Sequence, residues 1–179
     1  MDAATEARLA DLLDREAIRA VLARMARGLD RLDNDLVLSC YWPEAIDDHT
    51  HFVGTPQDFV RYADSTTLMF ASCAHHLTTH NCEIVGAEAH CETYYTYTGH
   101  AAAPPHFMAS GRYVDLFQKR DGEWRILARV TIVDGQYELM PAKFSEGMPS
   151  PYAPGENPVA RDRSDVSYQR PVRPRAPKD

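Results

Sequence analysis

The sequence is short of most signatures that announce a chemistry. No G-x-G-x-x-G, no phosphate-loop pattern and no G-x-S-x-G occurs among its 179 residues, so a dinucleotide fold, a nucleotide-triphosphate cradle and a hydrolase elbow all lack support. Its four cysteines (Cys40, Cys73, Cys82 and Cys91) show no C-x-x-C spacing, which argues against a zinc ribbon or a redox pair of that type. No run approaches the roughly 18 apolar residues of a membrane span, and no apolar leader opens the chain. A cytoplasmic protein with reduced thiols is the expectation. Positive charge is also scarce: the formal net charge is −7, so a nucleic-acid partner held by a basic face is not expected.

What is present fits one globular domain, with a hydrophobic fraction of 44% and a charged fraction of 25%. From about Thr5 to Asp33 apolar residues recur at steps of three and four (Ile18, Val21, Leu22, Met25, Leu29, Leu32), the stripe of an amphipathic helix. Asp33-Asn34-Asp35 offers cap chemistry for a short helix over Leu36–Trp42, which Pro43 should end. Ala45 to Val53 reads as a strand with Asp47, His49 and His51 on one face. Thr55-Pro56-Gln57-Asp58 is a helix start, with a hydroxyl cap, proline at the first helical position and an acid at the third. That helix is expected to reach Ser72 and to bury Phe59, Val60, Ala63, Leu68, Met69 and Phe70 in part.

Four strands come next: His75–Val85, Ala89–Gly99, Phe107–Lys119 and Glu123–Tyr137. Gly86-Ala87 and the hairpin dipeptide Asp121-Gly122 supply two of the turns. Helices first and a long antiparallel sheet afterwards imply an α+β domain over residues 1–140. Residues 141–179 hold eight of the twelve prolines and little apolar period, so they read as an extended tail. Its first part, with Phe144, Met148 and Tyr152, is expected to lie across the body or a partner subunit, and Arg170 to Asp179 to be disordered.

All eight histidines fall between His49 and His106, which concentrates proton chemistry in the middle of the chain. A divalent metal held by Asp47, His49 and His51 with His75, His76 or His80 matches no fixed ligand spacing, and no metal site is assigned. Acid–base chemistry without a cofactor needs an imidazole, a carboxylate to fix its tautomer and a cation or hydroxyl facing the developing charge. His75 is the favoured base; the carboxylate could come from Asp30, Asp33 or Asp47. Arg129, inside the apolar run Ile126-Leu127-Ala128-Arg129-Val130, is the candidate cation, because a buried arginine needs an anionic partner.

The order of several short motifs resembles a known family. Gly28-Leu29-Asp30-Arg31, Tyr41-Trp42-Pro43-Glu44-Ala45 and Asp48-His49-x-x-Phe52-x-Gly54 are followed by His75-x-Leu77-x-x-His80-x-x-Glu83-Ile84-x-Gly86. Gly111-Arg112-Tyr113-Val114-Asp115-x-Phe117 and Asp121-Gly122-x-Trp124-Arg125-Ile126-x-x-Arg129 complete the set. Together they are similar to the SnoaL-like branch of the nuclear transport factor 2-like superfamily, over roughly Asp11 to Tyr137. That branch includes scytalone dehydratase, bile-acid 7α-dehydratases, hexachlorocyclohexane dehydrochlorinase and diarylpropane lyases.

The resemblance implies a cone-shaped α+β barrel, a curved antiparallel sheet wrapped round the N-terminal helices with an apolar cavity between them. It implies a cofactor-independent lyase on an aromatic or alicyclic molecule, eliminating water or cleaving a C–C bond with release of an aldehyde such as formaldehyde. His75, Asp30 and Arg129 would be the catalytic set, with Asp47, His49, Tyr41, Tyr95, Tyr97 and Tyr113 facing substrate. Where relatives carry Lys or Tyr five residues before the Asp, this chain has Met25. On a helical wheel Asp33 lies nearer the apolar stripe than Asp30, so only the resemblance selects Asp30. The family also implies a homo-oligomer, dimer or trimer, and contains the alternative: non-catalytic ligand carriers and small subunits of ring-hydroxylating dioxygenases.

Overall fold

The computed structural model describes residues 1–141 and 159–175. Helix α1 spans Ala3–Asp30, and its cap is Asp2, whose carboxylate accepts from the Thr5 N–H at 2.8 Å. The expected stripe is the buried one: Ile18, Val21, Leu22, Met25 and Ala26 are 6% exposed or less. α1 stops where Leu32 takes a left-handed φ of 51° and the Asp33 N–H returns to the Gly28 carbonyl at 2.9 Å. Helix α2, Asn34–Leu38, then packs across α1. Gly28 permits that crossing, because a Cβ there would sit 2.6 Å from Val37 Cγ2.

Strand β1 covers Tyr41–Asp48, so α2 ends earlier than expected and Trp42 and Pro43 are strand residues. The proline is accommodated where the register of β1 shifts between Tyr41 and Ile46, a stretch in which a missing N–H costs the ladder nothing. Past Asp48 the chain reverses at Thr50 (φ 60°) into the two-residue β2, Val53–Gly54. His51 falls in that exposed bend, so it does not share a strand face with Asp47 and His49 as expected. Helix α3, Pro56–Thr67, has the predicted start, with Thr55 Oγ1 accepting from the Asp58 N–H at 3.3 Å. It is a turn shorter than expected, and Leu68 and Met69 are 69% and 68% exposed rather than partly buried.

Strands β3 (Phe70–Val85), β4 (Glu88–Ala101), β5 (His106–Arg120) and β6 (Glu123–Leu139) form long antiparallel ladders. The sheet order is β2-β1-β6-β5-β4-β3, with β1 running parallel to β6, and the outer strands β2 and β3 do not pair with each other. Register shifts at Leu77/His80, Ser110/Gly111 and Leu116/Phe117 bend the strands. At Gly111 the bend brings the Ile132 carbonyl so close that any Cβ would collide with it. The result is the expected α+β cone: a curved, unclosed sheet around α1. Its inner face alternates strictly along β4, burying Ala89, Cys91, Thr93, Tyr95 and Tyr97.

Residues 159–175 are not a free tail. A short 3-10 turn, Val166–Tyr168, sits on the α1–α2 corner, with the Tyr168 hydroxyl donating to Asp33 Oδ2 at 2.9 Å and the Arg27 guanidinium 4.5 Å over its ring. Residues 170–175, expected to be disordered, are exposed and carry no helix or strand. Phe144, Met148 and Tyr152, and the end of the chain past 175, lie outside the described residues.

Candidate active site

Between α3, the start of β3 and the inner faces of β4–β6 lies a cavity of about 370 Å³. Its wall is largely aromatic: Phe59, Tyr62, Phe70, Tyr95, Tyr97, Phe107 and Tyr113, with His75 and His49 as the imidazoles. Local sequence explains the placement. Inward positions alternate along β4 and β5, which puts Tyr95, Tyr97 and Tyr113 on one concave surface. β3 begins at Phe70, and alternation carries Cys73 and His75 to the same side.

His75 and Asp30 meet as the resemblance implied. His75 Nδ1 lies 2.7 Å from Asp30 Oδ1, and the His75 backbone N–H donates to Asp30 Oδ2 at 3.1 Å. Both side chains are mostly buried, 11% and 14% exposed. One carboxylate thus holds the ring and its own backbone. An ionised carboxylate only accepts, so Nδ1 carries the proton and the Nε2 lone pair is free to act as a base. The Tyr97 ring stands 4.8 Å from the His75 ring, and its hydroxyl is 2.9 Å from Cys73 Sγ. Burial and the Cys73 contact push the Tyr97 hydroxyl well above its ordinary pKa, and burial does the same for Tyr113, so both rings are neutral donors.

Asp33 does other work, capping α2 through the Leu36 N–H at 3.3 Å and accepting from Tyr168. The competition between the two acids is therefore settled by the end of α1, not by its apolar stripe. Asp47 and Tyr41 lie behind the cavity wall. Asp47 is fully buried, accepts from the Tyr41 hydroxyl at 2.7 Å and lies 3.1 Å from His49 Nδ1, which is also 3.0 Å from Thr131 Oγ1. His49 itself lines the cavity and stacks on Phe59 at 4.8 Å, so a second His–Asp pair faces the same space.

Arg129 departs from expectation. It is buried against Asp115 with two parallel bonds of 2.6 and 2.7 Å, its third nitrogen meets Met25 Sδ, and its carbon lies 4.0 Å over the Tyr113 ring. Burial opposes its charge, but the carboxylates of Asp115, directly bonded to it, and Asp47 outweigh that and hold the guanidinium firmly protonated. It backs the tyrosine wall and does not border the cavity, with Nε and Nη2 committed to Asp115 and Nη1 to Met25. Met25, already noted as a departure from the pattern of the resemblance, is part of this buried packing.

The cation that does border the cavity comes from residues 159–175, which sequence reasoning passed over. Arg161 donates from Nε to the Asp30 carbonyl (3.2 Å), from Nη1 to the carbonyls of Thr67 (2.6 Å) and Phe70 (3.4 Å), and from Nη2 to the Leu29 carbonyl (3.3 Å) and Thr67 Oγ1 (3.1 Å). All five of its N–H groups are used, at the carboxyl ends of α1 and α3, where a cation is favoured. It braces the two helix ends that flank His75. An arginine in a proline-rich stretch without apolar period carries no local signal of that role.

A family model described as a SnoaL-like domain matches residues 10–130, and the chain belongs to that family. No curated protein sequence matches it. Among solved structures, it is similar to a protein of Novosphingobium aromaticivorans provisionally assigned as a scytalone dehydratase. Identity there is 16%, TM-score 0.66, with 78% of this chain and 97% of that one covered. It is also similar to the hexachlorocyclohexane dehydrochlorinase LinA-type3 of Novosphingobium barchaimii, at 16% identity and TM-score 0.68, covering 76% and 97%. A further similar structure is a Rv3472 variant of Mycobacterium tuberculosis, of unknown function, at 24% identity and TM-score 0.64, covering 75% and 77%. At these identities the likeness speaks for the fold. No helix among the described residues is long and apolar enough to cross a membrane.

Proposed function

We propose that this chain is a cofactor-independent lyase acting on a small aromatic or alicyclic molecule. The observation that carries the reading is the His75–Asp30 pair at 2.7 Å, one ring edge turned to a cavity walled by aromatic side chains. In this reading His75 Nε2 takes a proton from carbon or from a hydroxyl group of the substrate. Asp30 holds the tautomer and stabilises the imidazolium that results. Water leaves, or a C–C bond breaks with release of an aldehyde. The Tyr97 hydroxyl, beside His75, is the donor we assign to the departing or developing oxygen. Arg129 contributes from behind Tyr113, as a fixed positive charge and a brace for that ring rather than as a substrate contact. A cavity of about 370 Å³ fits a one- or two-ring molecule, and stacking on the walls would orient it.

The names of two similar structures, a dehydratase and a dehydrochlorinase, support the lyase class. A ligand carrier would have no use for a carboxylate-oriented imidazole at the cavity wall. Exposed Ile46, Val114 and Val130 share the outer face of the sheet, where Val114 and Val130 are cross-strand partners, and we assign pairing of two copies to that face. The test is a screen of hydroxylated aromatic and alicyclic substrates, read by mass spectrometry for loss of water or formaldehyde. His75→Ala should fold and lose at least about 100-fold in turnover. Retention of a tenth of the activity, or isolation of the chain in a stoichiometric complex with a larger iron-containing subunit, would overturn the reading.

A further inference from the structure

A second cluster of reactive side chains lies lower in the cone, between the inner face of β3–β4 and α1. His80 and Cys82 are two positions apart on β3 and so share a strand face, and Cys91 is the direct cross-strand partner of Cys82. One donor atom from each lies within 4.8 Å of the other two. From His75 to Cys82 is about 20 Å along an extended strand, so this cluster is separate from the His75–Asp30 pair. We propose that His80, Cys82 and Cys91 bind one soft d10 cation, Zn(II) or Cu(I).

Three observations support a metal rather than simple packing. His80 Nε2 is buried and has no hydrogen-bond partner, an expensive state for a ring nitrogen unless something fills it. His80 Nδ1 is 2.8 Å from the hydroxyl of Thr93, itself 1% exposed; that hydroxyl can accept from Nδ1–H, the tautomer in which Nε2 is a lone pair able to ligate. The two sulfurs stand 3.0 Å apart. A metal about 2.3 Å from each would require them to open by less than about 1 Å, which a small rotation of either side chain supplies.

The competing fate of two such thiols is a disulfide, with loss of two protons and two electrons to an oxidant such as a hydroperoxide. That reaction would leave the His80 nitrogen unpartnered. Arg15, which donates to the Cys82 carbonyl at 2.5 Å, and Arg19 face the cluster from α1, and Asp115 faces it from β5. Binding replaces two S–H protons by the cation, so it releases two protons. Three ligands suit trigonal Cu(I) directly, whereas Zn(II) would keep a fourth, exchangeable position.

The experiment uses the full chain, reduced with a non-thiol reductant under anaerobic conditions. Zn(II) and Cu(I) are titrated separately against chromophoric chelators, and Cd(II) serves as a spectroscopic probe of thiolate ligation. One equivalent should bind, with thiolate-to-Cd(II) absorption and proton release. Cys82→Ser, Cys91→Ser and His80→Gln should each weaken binding at least about 100-fold, and Thr93→Val about 10–100-fold. Cys40→Ser and Cys73→Ser should leave it unchanged. The tighter of the two competition constants identifies the cation. Absence of a stoichiometric equivalent, a Cd(II) complex without thiolate absorption, or binding that survives Cys82→Ser would overturn the proposal. Should buried Cys91→Ser fail to fold, the half-buried Cys82→Ser and the wild-type Cd(II) spectrum decide it.

Discussion

Asp30→Asn exchanges one oxygen for an amide nitrogen and breaks a two-point hold on His75. The native carboxylate accepts twice, from His75 Nδ1–H at 2.7 Å and from the His75 backbone N–H at 3.1 Å. An amide of the same shape has one acceptor and one donor, so it cannot satisfy both. With its oxygen toward the backbone, its NH₂ faces Nδ1 and forces the proton onto Nε2, removing the lone pair that faces the cavity. Reversed, it sets NH₂ against a buried N–H. The charge is lost in either case. A hydrogen bond to a charged group contributes roughly 1.5–3 kcal/mol, which corresponds to about 10–150-fold in the stability of an imidazolium transition state. The wrong tautomer adds to that, and comparable substitutions behind a catalytic histidine cost up to about 10⁴-fold in turnover. The expected loss in kcat is therefore about 10²–10⁴-fold with little change in KM. Long-range ¹⁵N–¹H correlation of the His75 ring provides an assay that needs no substrate: Nδ1–H in the native protein, Nε2–H in the variant. Asp33→Asn is the control, expected to cost about 0.5–2 kcal/mol of cap stability and to leave the ring signal alone. A variant that keeps both the Nδ1–H signal and a tenth of the activity, or an Asp33→Asn protein that loses them, would refute the reasoning.

Arg161→Gln leaves at most two of five donors for the carbonyls at the ends of α1 and α3, so melting should fall by several degrees and kcat should drop at least about 10-fold. Recovery by Arg161→Lys would show that charge alone suffices, against the bracing role given to the planar group. Asp115→Asn strips the counter-charge from a buried arginine and should destabilise the fold by about 3–5 kcal/mol in urea unfolding; a shift under about 1 kcal/mol, on the order of a surface pair, would contradict the pairing at 2.6 and 2.7 Å. Burial tends to raise the Asp14 carboxyl, but bonds from Lys119 at 2.6 Å and the Trp124 indole at 2.9 Å outweigh it and hold its pKa below 3.8. A depressed acid contributes stability above its unfolded pKa and loses it as pH falls through the folded value. Asp14→Asn should therefore be less stable than the native chain at neutral pH by about 1–2 kcal/mol and should converge with it below about pH 4. An equal gap between the two at neutral pH and at about pH 3 would count against this.

Local signals in the sequence determined where elements start and turn. Thr55-Pro56-x-Asp58 starts α3 because cap, fixed φ and helix-end charge act within four residues. Asp121-Gly122 turns β5 into β6 because both residues must take positive φ, here 50° and 83°. The resemblance implied Tyr95, Tyr97 and Tyr113 as cavity residues, and it is the β4–β5 register that sets Tyr113 on the face of Tyr95 and Tyr97. The motif order carried His75 and Asp30, which periodicity alone did not select. Tertiary structure decided what depends on register and on contacts far apart in the chain. Pro43 reads as a helix stop, yet it sits in a strand because a register shift in the parallel β1–β6 pair leaves its missing N–H without consequence. Arg129 was legible as a buried cation, but its commitment to Asp115 comes from the β5–β6 register that sets Asp115 opposite Arg129. Cys91 faces Cys82 through the same kind of register, here between β3 and β4. Four of the five acceptors of Arg161 are carbonyls of the kind every residue possesses, each more than 90 residues away. No side-chain pattern can announce a partner that is backbone, so only the folded helix ends could reveal it.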